Sequence, residues 1–154
     1  MATIYLKRTS GNGRVTHGRL EFPQYRFVCD TLELREVADT TRCRISCAVP
    51  LGEFQLAPTF GGSMLYCPEF KRKPRGCATK PRFDTVNVSY NSLRSGDIAL
   101  GRHYDDLSLR VDDPTLQELR ELFRRLFTSG EDVSLVIYKT NRFQEGSLEV
   151  RGER

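Results

Sequence analysis

No stretch of this sequence stays apolar for long. The hydrophobic residues, 38% of the chain, are scattered in short runs among 29% charged residues. That pattern excludes a membrane-spanning helix, which needs about 20 consecutive apolar residues, and the same balance excludes disorder by composition. The opening residues do not read as a secretory leader either. The first apolar run is brief and has its basic pair, Lys7 and Arg8, behind it instead of in front. The protein is therefore expected to stay in the compartment where it is made, the cytoplasm, with delivery alongside a phage or envelope complex as the other expectation. Internal repeats are absent. At 154 residues the chain predicts one domain, 1–154, able to bury roughly two thirds of its unfolded surface.

Paired cysteines are lacking as well. Cys29, Cys43, Cys47, Cys67 and Cys77 make an odd set, which argues against a complete disulfide framework and for reduced, mostly buried thiols. Four of them, Cys43, Cys47, Cys67 and Cys77, could in principle surround a zinc ion. The wide interval between Cys67 and Cys77 is unlike the tight spacing of a zinc knuckle, so neither metal nor cofactor is expected.

What is present is an alternating, strand-like pattern. Residues 3–7 alternate with Ile4 and Leu6 on one face, 10–13 supply a turn, and 15–22 and 25–34 read as the next two strands, with Phe27, Cys29 and Thr31 on one side. Residues 35–44 are polar and read as a loop. Residues 45–49 lead into a turn at Pro50, Leu51 and Gly52, after which Phe54 and Leu56 open another strand. Residues 59–82 hold no sustained period and are broken by Pro68, Pro74 and Pro81. Their apolar residues Phe60, Met64, Leu65, Tyr66 and Phe70 predict packing on the sheet at intervals. Residues 107–111 alternate again. A helix is predicted over 114–128, with Asp113 as its cap, Pro114 first, and Leu116, Leu119, Leu122, Phe123, Leu126 and Phe127 on one face. Ser129 and Gly130 stop it, 133–138 read as a core strand, 148–150 as a weak one, and the last four residues should fray. The fold class is mostly β: an antiparallel sandwich or curled sheet of about eight strands with one amphipathic helix packed on it.

Charge is uneven within a modest net +4. Lys71, Arg72, Lys73, Arg75, Lys80 and Arg82 place six cations in twelve residues without an acid. Six like charges cannot be buried without partners, so this segment should be exposed, either as a solvated loop or as a surface for an anionic partner. The balance is too slight for a dedicated nucleic-acid binder.

The stretch 84–101 carries the functional question. Val86 and Val88 alternate with Asn87 and Ser89; Asn91, Ser92, Ser95 and Gly96 supply turn chemistry; Ile98 and Leu100 resume the alternation until Gly101. A loop between two core strands is a common mount for a reactive group, yet this one has no His and no Cys, and Asp97 stands at its centre.

Four pieces together carry a family resemblance: Gly18, Arg19 and Leu20; the strand 27–33; the turn 49–54; and the block 86–101. They resemble a bacterial and phage family of small proteins of unknown function, which is similar in motif to the YkuD-type L,D-transpeptidase fold. Active relatives carry a Pro-x-Gly-x-aromatic turn, a strand ending His-x-Gly-Asn, a loop, and Gly-Cys-Ile-x-x-Gly. The resemblance implies that Asn91 keeps the Asn, that Gly96 and Ile98 flank the nucleophile position, and that Gly101 closes the block. It places the His position on Ser89 or Val88 and the Cys position on Asp97, so the vestigial site is Ser89, Asn91, Gly96 and Asp97. The implied mechanism, a thiolate attacking an acyl carbon with an imidazole taking its proton, cannot be run by those residues.

Three functions follow. The first is a catalytically inert member of this family kept as a recognition or assembly module with a protein partner, in a phage-derived or envelope-directed system. The second is an enzyme on peptidoglycan peptides with relocated chemistry, using Cys67 or Cys77 with His103. The third is an anion-binding module working through the basic residues 71–82.

Overall fold

Apolar alternation sets the first three strands. β1 (Ala2–Gly11), β2 (Val15–Phe22) and β3 (Phe27–Leu34) form an antiparallel meander. Its first turn is tightened by Asn12, whose Oδ1 accepts from the backbone N–H groups of Arg14 and Val15 at 2.7 and 3.0 Å. The structure, a computed structural model, describes residues 2–36, 47–59, 67–74, 77, 80–85 and 87–145. The expectations for Ile45, Phe60, Met64, Leu65, Tyr66, Val86, the loop residues 37–44, the strand 148–150 and the tail 151–154 lie outside the described residues.

The remaining elements are β4 (Gly52–Thr59), β5 (Cys67–Phe70), β6 (Phe83–Asp84), β7 (Val88–Ser89), β8 (Ile98–Asp105), β9 (Ser108–Arg110), the helix α1 (Asp113–Thr128) and β10 (Val133–Glu145). They complete one curled sheet in the order β5-β4-β10-β1-β2-β3-β8-β9-β7, with β6 against β8. The mostly β fold with one helix is as the sequence predicts, but the sheet is mixed: β1 runs parallel to β10, and β6 parallel to β8. β5 is the strand that Pro68 hides in the sequence. It lies at the sheet edge, where a residue without an N–H is tolerated. Phe70 then packs inward as expected, its ring 4.9 Å from that of Phe54.

The concave face is apolar at one end. Ile4, Leu6, Leu20, Phe22, Ile98, Leu100, Leu135 and Ile137 meet Leu119, Leu122, Phe123 and Leu126 of α1. The helix cap is Asp112, not Asp113: its carboxylate accepts from Thr115 N–H at 2.8 Å from an extended backbone, which leaves Asp113 and Pro114 in the first turn. Proline costs nothing there, because that N–H has no partner within the helix.

Further along the same strands the face turns polar. Arg8, 1% exposed, continues the alternation of Ile4 and Leu6 and bonds Glu33, 0% exposed, through two donors at 3.1 and 2.7 Å. The guanidinium also donates to Val49 O at 2.7 Å and to Glu36 at 2.9 Å, and Glu36 in turn takes Lys139 at 3.0 Å. Burial pushes the Glu33 carboxyl up against the pull of Arg8. For Arg8, burial opposes the charge, but Glu33 and Glu36 outweigh it and hold the guanidinium more firmly protonated.

On the convex face β8 leaves β3 after Gly101 and pairs with β9, which pairs with β7, so these three strands form a flap. The flap's Val88, Leu107, Leu109 and Val111 pack with Val15, Leu32 and Ala99. Gly101 permits the crossing, since a Cβ there would lie 2.4 Å from the carbonyl oxygen of Arg110.

Two substitutions separate these supports. Phe123, in ring contact with Phe22 and Phe83, should cost about 3–5 kcal/mol as Phe123→Ala in denaturant unfolding. Glu33→Ala should cost a similar amount, about 3–5 kcal/mol, by leaving Arg8 buried beside a missing partner. The Arg8→Met/Glu33→Leu pair should cost clearly less than Glu33→Ala alone, and a strictly additive double-mutant cycle would contradict the coupling.

Candidate functional site

A tight turn delivers the chain into β8. Gly96 has φ +85, and a Cβ there would lie 3.1 Å from a Pro81 ring carbon, so a side chain is disfavoured twice over. Its N–H donates to Cys47 O at 2.9 Å, the Ser95 hydroxyl donates to the same oxygen at 3.1 Å, and Asp97 N–H donates to Arg94 O at 3.1 Å. The parallel register sets Asp84 opposite Ala99 and Phe83 opposite Ile98. With a side-chain period of two, Arg82, Asp84, Asp97 and Ala99 therefore share the convex face.

Asp97 is 4% exposed. Its Oδ1 accepts from Arg82 N–H at 3.3 Å, while its Oδ2 is buried without a hydrogen-bond partner. Burial, reinforced by the charge of Asp84, pushes the Asp97 carboxyl up to about 6, against the pull of Arg82 and Arg94. Burial raises Asp84 as well, and Arg82, 3.9 Å away, and Arg94 oppose it. Two neighbouring carboxylates disfavour each other's ionisation, so the pair holds a proton into mildly acidic solution.

The other predicted site residues stand apart from Asp97. Ser89, half-buried in β7, donates its hydroxyl to Asn91 Oδ1 at 2.5 Å, and Ser92 donates to Ser89 O at 2.9 Å. These bonds close a single 3-10 turn, Tyr90–Ser92. Val88 packs on the convex cluster opposite Leu109. Gly96 and Asp97 thus face β6, whereas Ser89 and Asn91 are spent on a turn, and no base accompanies the Ser89 hydroxyl.

Cys77 is a free, buried thiol whose Sγ lies 3.8 Å from where a Gly96 side-chain carbon would stand. Burial pushes this thiol up, against the pull of Lys73. His103 is elsewhere, on the second half of β8. Its Nε2 lies 3.0 Å from Thr31 O, its Nδ1 3.7 Å from Asp30, and its ring stacks on His17 at 4.1 Å. None of those partners is a thiol, so Cys77 and His103 are not brought together. The side chain of Cys67 lies outside the described residues, as does Cys43. Cys47 is disulfide-bonded, which corrects the expectation of reduced thiols for that residue and removes its thiolate from the four-cysteine ligand set. Among the described residues no cluster of three or more metal-ligating side chains occurs, and no helix is long and apolar enough to cross a membrane.

The basic segment behaves as charge demands. Lys71, Arg72, Lys73, Lys80 and Arg82 are exposed, and Arg75 lies outside the described residues. Lys71 reaches Asp132 only at 4.0 Å.

Two features have no local signal in the sequence. The Asp84–Asp97 coupling depends on a parallel register that two-residue strands do not announce. The His17–His103 stack joins residues far apart in the chain. Arg8 and Glu33 were signalled: each continues the buried parity of its strand, Arg8 after Ile4 and Leu6, and Glu33 after Cys29 and Thr31.

An acid that holds its proton more tightly when folded stabilises the fold below the ordinary carboxylate range and loses that contribution as the pH rises through its folded value. For Asp97 the window runs from 3.8 to about 6, worth at most about 3 kcal/mol. Asp97→Asn should therefore be more stable than the parent at neutral pH and indistinguishable from it below about pH 4, read from melting temperatures across that range. Destabilisation at neutral pH would mean that the charged carboxylate supports the fold. Comparison of the chain with protein-family models, curated proteins and solved structures returned no match.

Proposed function

We propose that this protein is a binding or assembly module on an L,D-transpeptidase-like frame, without acyl-transfer chemistry of its own. The observation that carries this reading is Asp97. At the position where the resembled family mounts its thiol stands a buried carboxylate, tied to Arg82 N–H and with its ionisation disfavoured by burial. It is a poor nucleophile, and no imidazole attends it: His103 is committed to Thr31, Asp30 and His17. A nucleophile of low reactivity needs an adjacent base, and Ser89 has only an amide.

The partner would be a protein in a larger, phage-derived or envelope-directed assembly. Exposure of Lys71, Arg72, Lys73, Lys80 and Arg82 favours a second reading, in which an anionic partner docks on this segment.

Purified protein incubated with a peptidoglycan tetrapeptide stem should return it unchanged by mass spectrometry. Turnover that disappears in a His103→Ala variant would overturn the inert reading. If the basic segment serves a partner, Arg72→Glu should weaken retention strongly at low salt and much less at high salt, because such contacts are screened over about 10 Å at 0.1 M. Retention indifferent to both charge and salt would return the segment to solvated surface.

A further inference from the structure

A separate pocket of about 260 Å³ opens on the convex face between the first turn, the end of β3 and the turn Tyr90–Ser92. Arg14 and Arg35 line it with Leu34, Tyr90, Asn91 and Leu93, and among the described residues no acidic side chain does. Both arginines are exposed, and neither makes an ion pair among the described residues. Two guanidiniums sharing one cavity without a counter-charge repel each other, and that arrangement is relieved by an anion.

The backbone that carries both arginines is held in place. Asn12 fixes the backbone of Arg14, whose guanidinium lies over the Tyr90 ring at 5.3 Å. The carbonyl of Arg35 is anchored by Ala48 N–H at 2.8 Å. Ser89 occupies Asn91 Oδ1, which leaves the Asn91 amide N–H groups as donors. Leu34, Tyr90 and Leu93 supply an apolar wall that a bare inorganic anion would not use.

We infer that this pocket binds the C-terminal carboxylate of a peptide together with its last, apolar side chain. Planar guanidinium forks match a carboxylate, the amide adds a third donor, and the volume suits a single amino-acid residue. Carboxylate capture gives the binding module a ligand class; it rests on the module reading only in being capture without turnover, and Asp97 takes no part.

The test is an amide chemical-shift titration of the whole protein with N-acetylalanylleucine, its C-terminal amide, and inorganic phosphate. The acid should give saturable shifts confined to residues 12–15, 34–35 and 90–93, with the amide bound at least about tenfold more weakly, as loss of a charge-assisted contact implies. Arg14→Ala and Arg35→Ala, both at exposed positions, should each weaken the acid by about tenfold, and Asp97→Asn should not change it. No saturable shift, equal binding of the amide, or phosphate binding as tightly as the acid would each overturn the pocket. Cleavage of the peptide with the shifts still present would instead overturn the module reading while supporting the pocket.

Discussion

The buried contact between Arg8 and Glu33 is the constraint through which the distant parts of the molecule are connected. One guanidinium on β1 reaches β3, the Val49 carbonyl ahead of β4 and, through Glu36, Lys139 on β10. Arg8 crosses the intervening β2 to reach Glu33 on β3. Val49 is two residues from Cys47, whose carbonyl holds both Ser95 and Gly96. The turn that buries Asp97 is thus hung from a backbone segment that Arg8 clamps on the opposite face. A buried ion pair is weak evidence for stability in itself, since its desolvation offsets its attraction, but its geometry is unforgiving. Its contribution is to specify which strands lie where.

The two faces divide the labour. The concave face packs α1 at one end and holds the Arg8 network further along. The convex face carries the flap, the carboxylate pair and the Arg14–Arg35 pocket. Electrostatics on this side are segregated over short distances: Asp84 and Asp97 sit at the entry to β8, while Arg14 and Arg35 line the cavity beside the neighbouring turn. The stacked imidazoles of His17 and His103 hold the far end of the flap, with His17 Nε2 2.7 Å from Asp106 O. Each imidazole bridges two elements, His17 reaching Asp106 O and His103 reaching Thr31 O.

Much of the fold was legible because most strands bury one face. β2 has the bounds that alternation gives, and α1 differs by one residue and its cap. Alternation underestimates β1, β8 and β10, which run on through Arg8, Arg102 and Lys139, because hydrogen bonding continues after the apolar pattern stops. β5 was hidden by proline, β6 is too short to have a period, and β7 lies at the end of the alternation read over 86–89. The site was legible as a location and not as an arrangement. Gly96, Asp97 and Gly101 mark a turn and a crossing, as their spacing implies. Nothing local, however, says that Asp97 would face Asp84 instead of Asn91, because that follows from a strand register set by residues elsewhere.

The parallel pairing of β1 with β10 has a consequence for synthesis. Ala2 lies beside Val133 in the sheet, about 130 residues along the chain. A nascent chain can form the β1–β2–β3 meander early, but one edge of β1 then waits, unpaired, until β10 has been made. During that interval its free amide and carbonyl groups can accept any extended segment, including β10 from another copy.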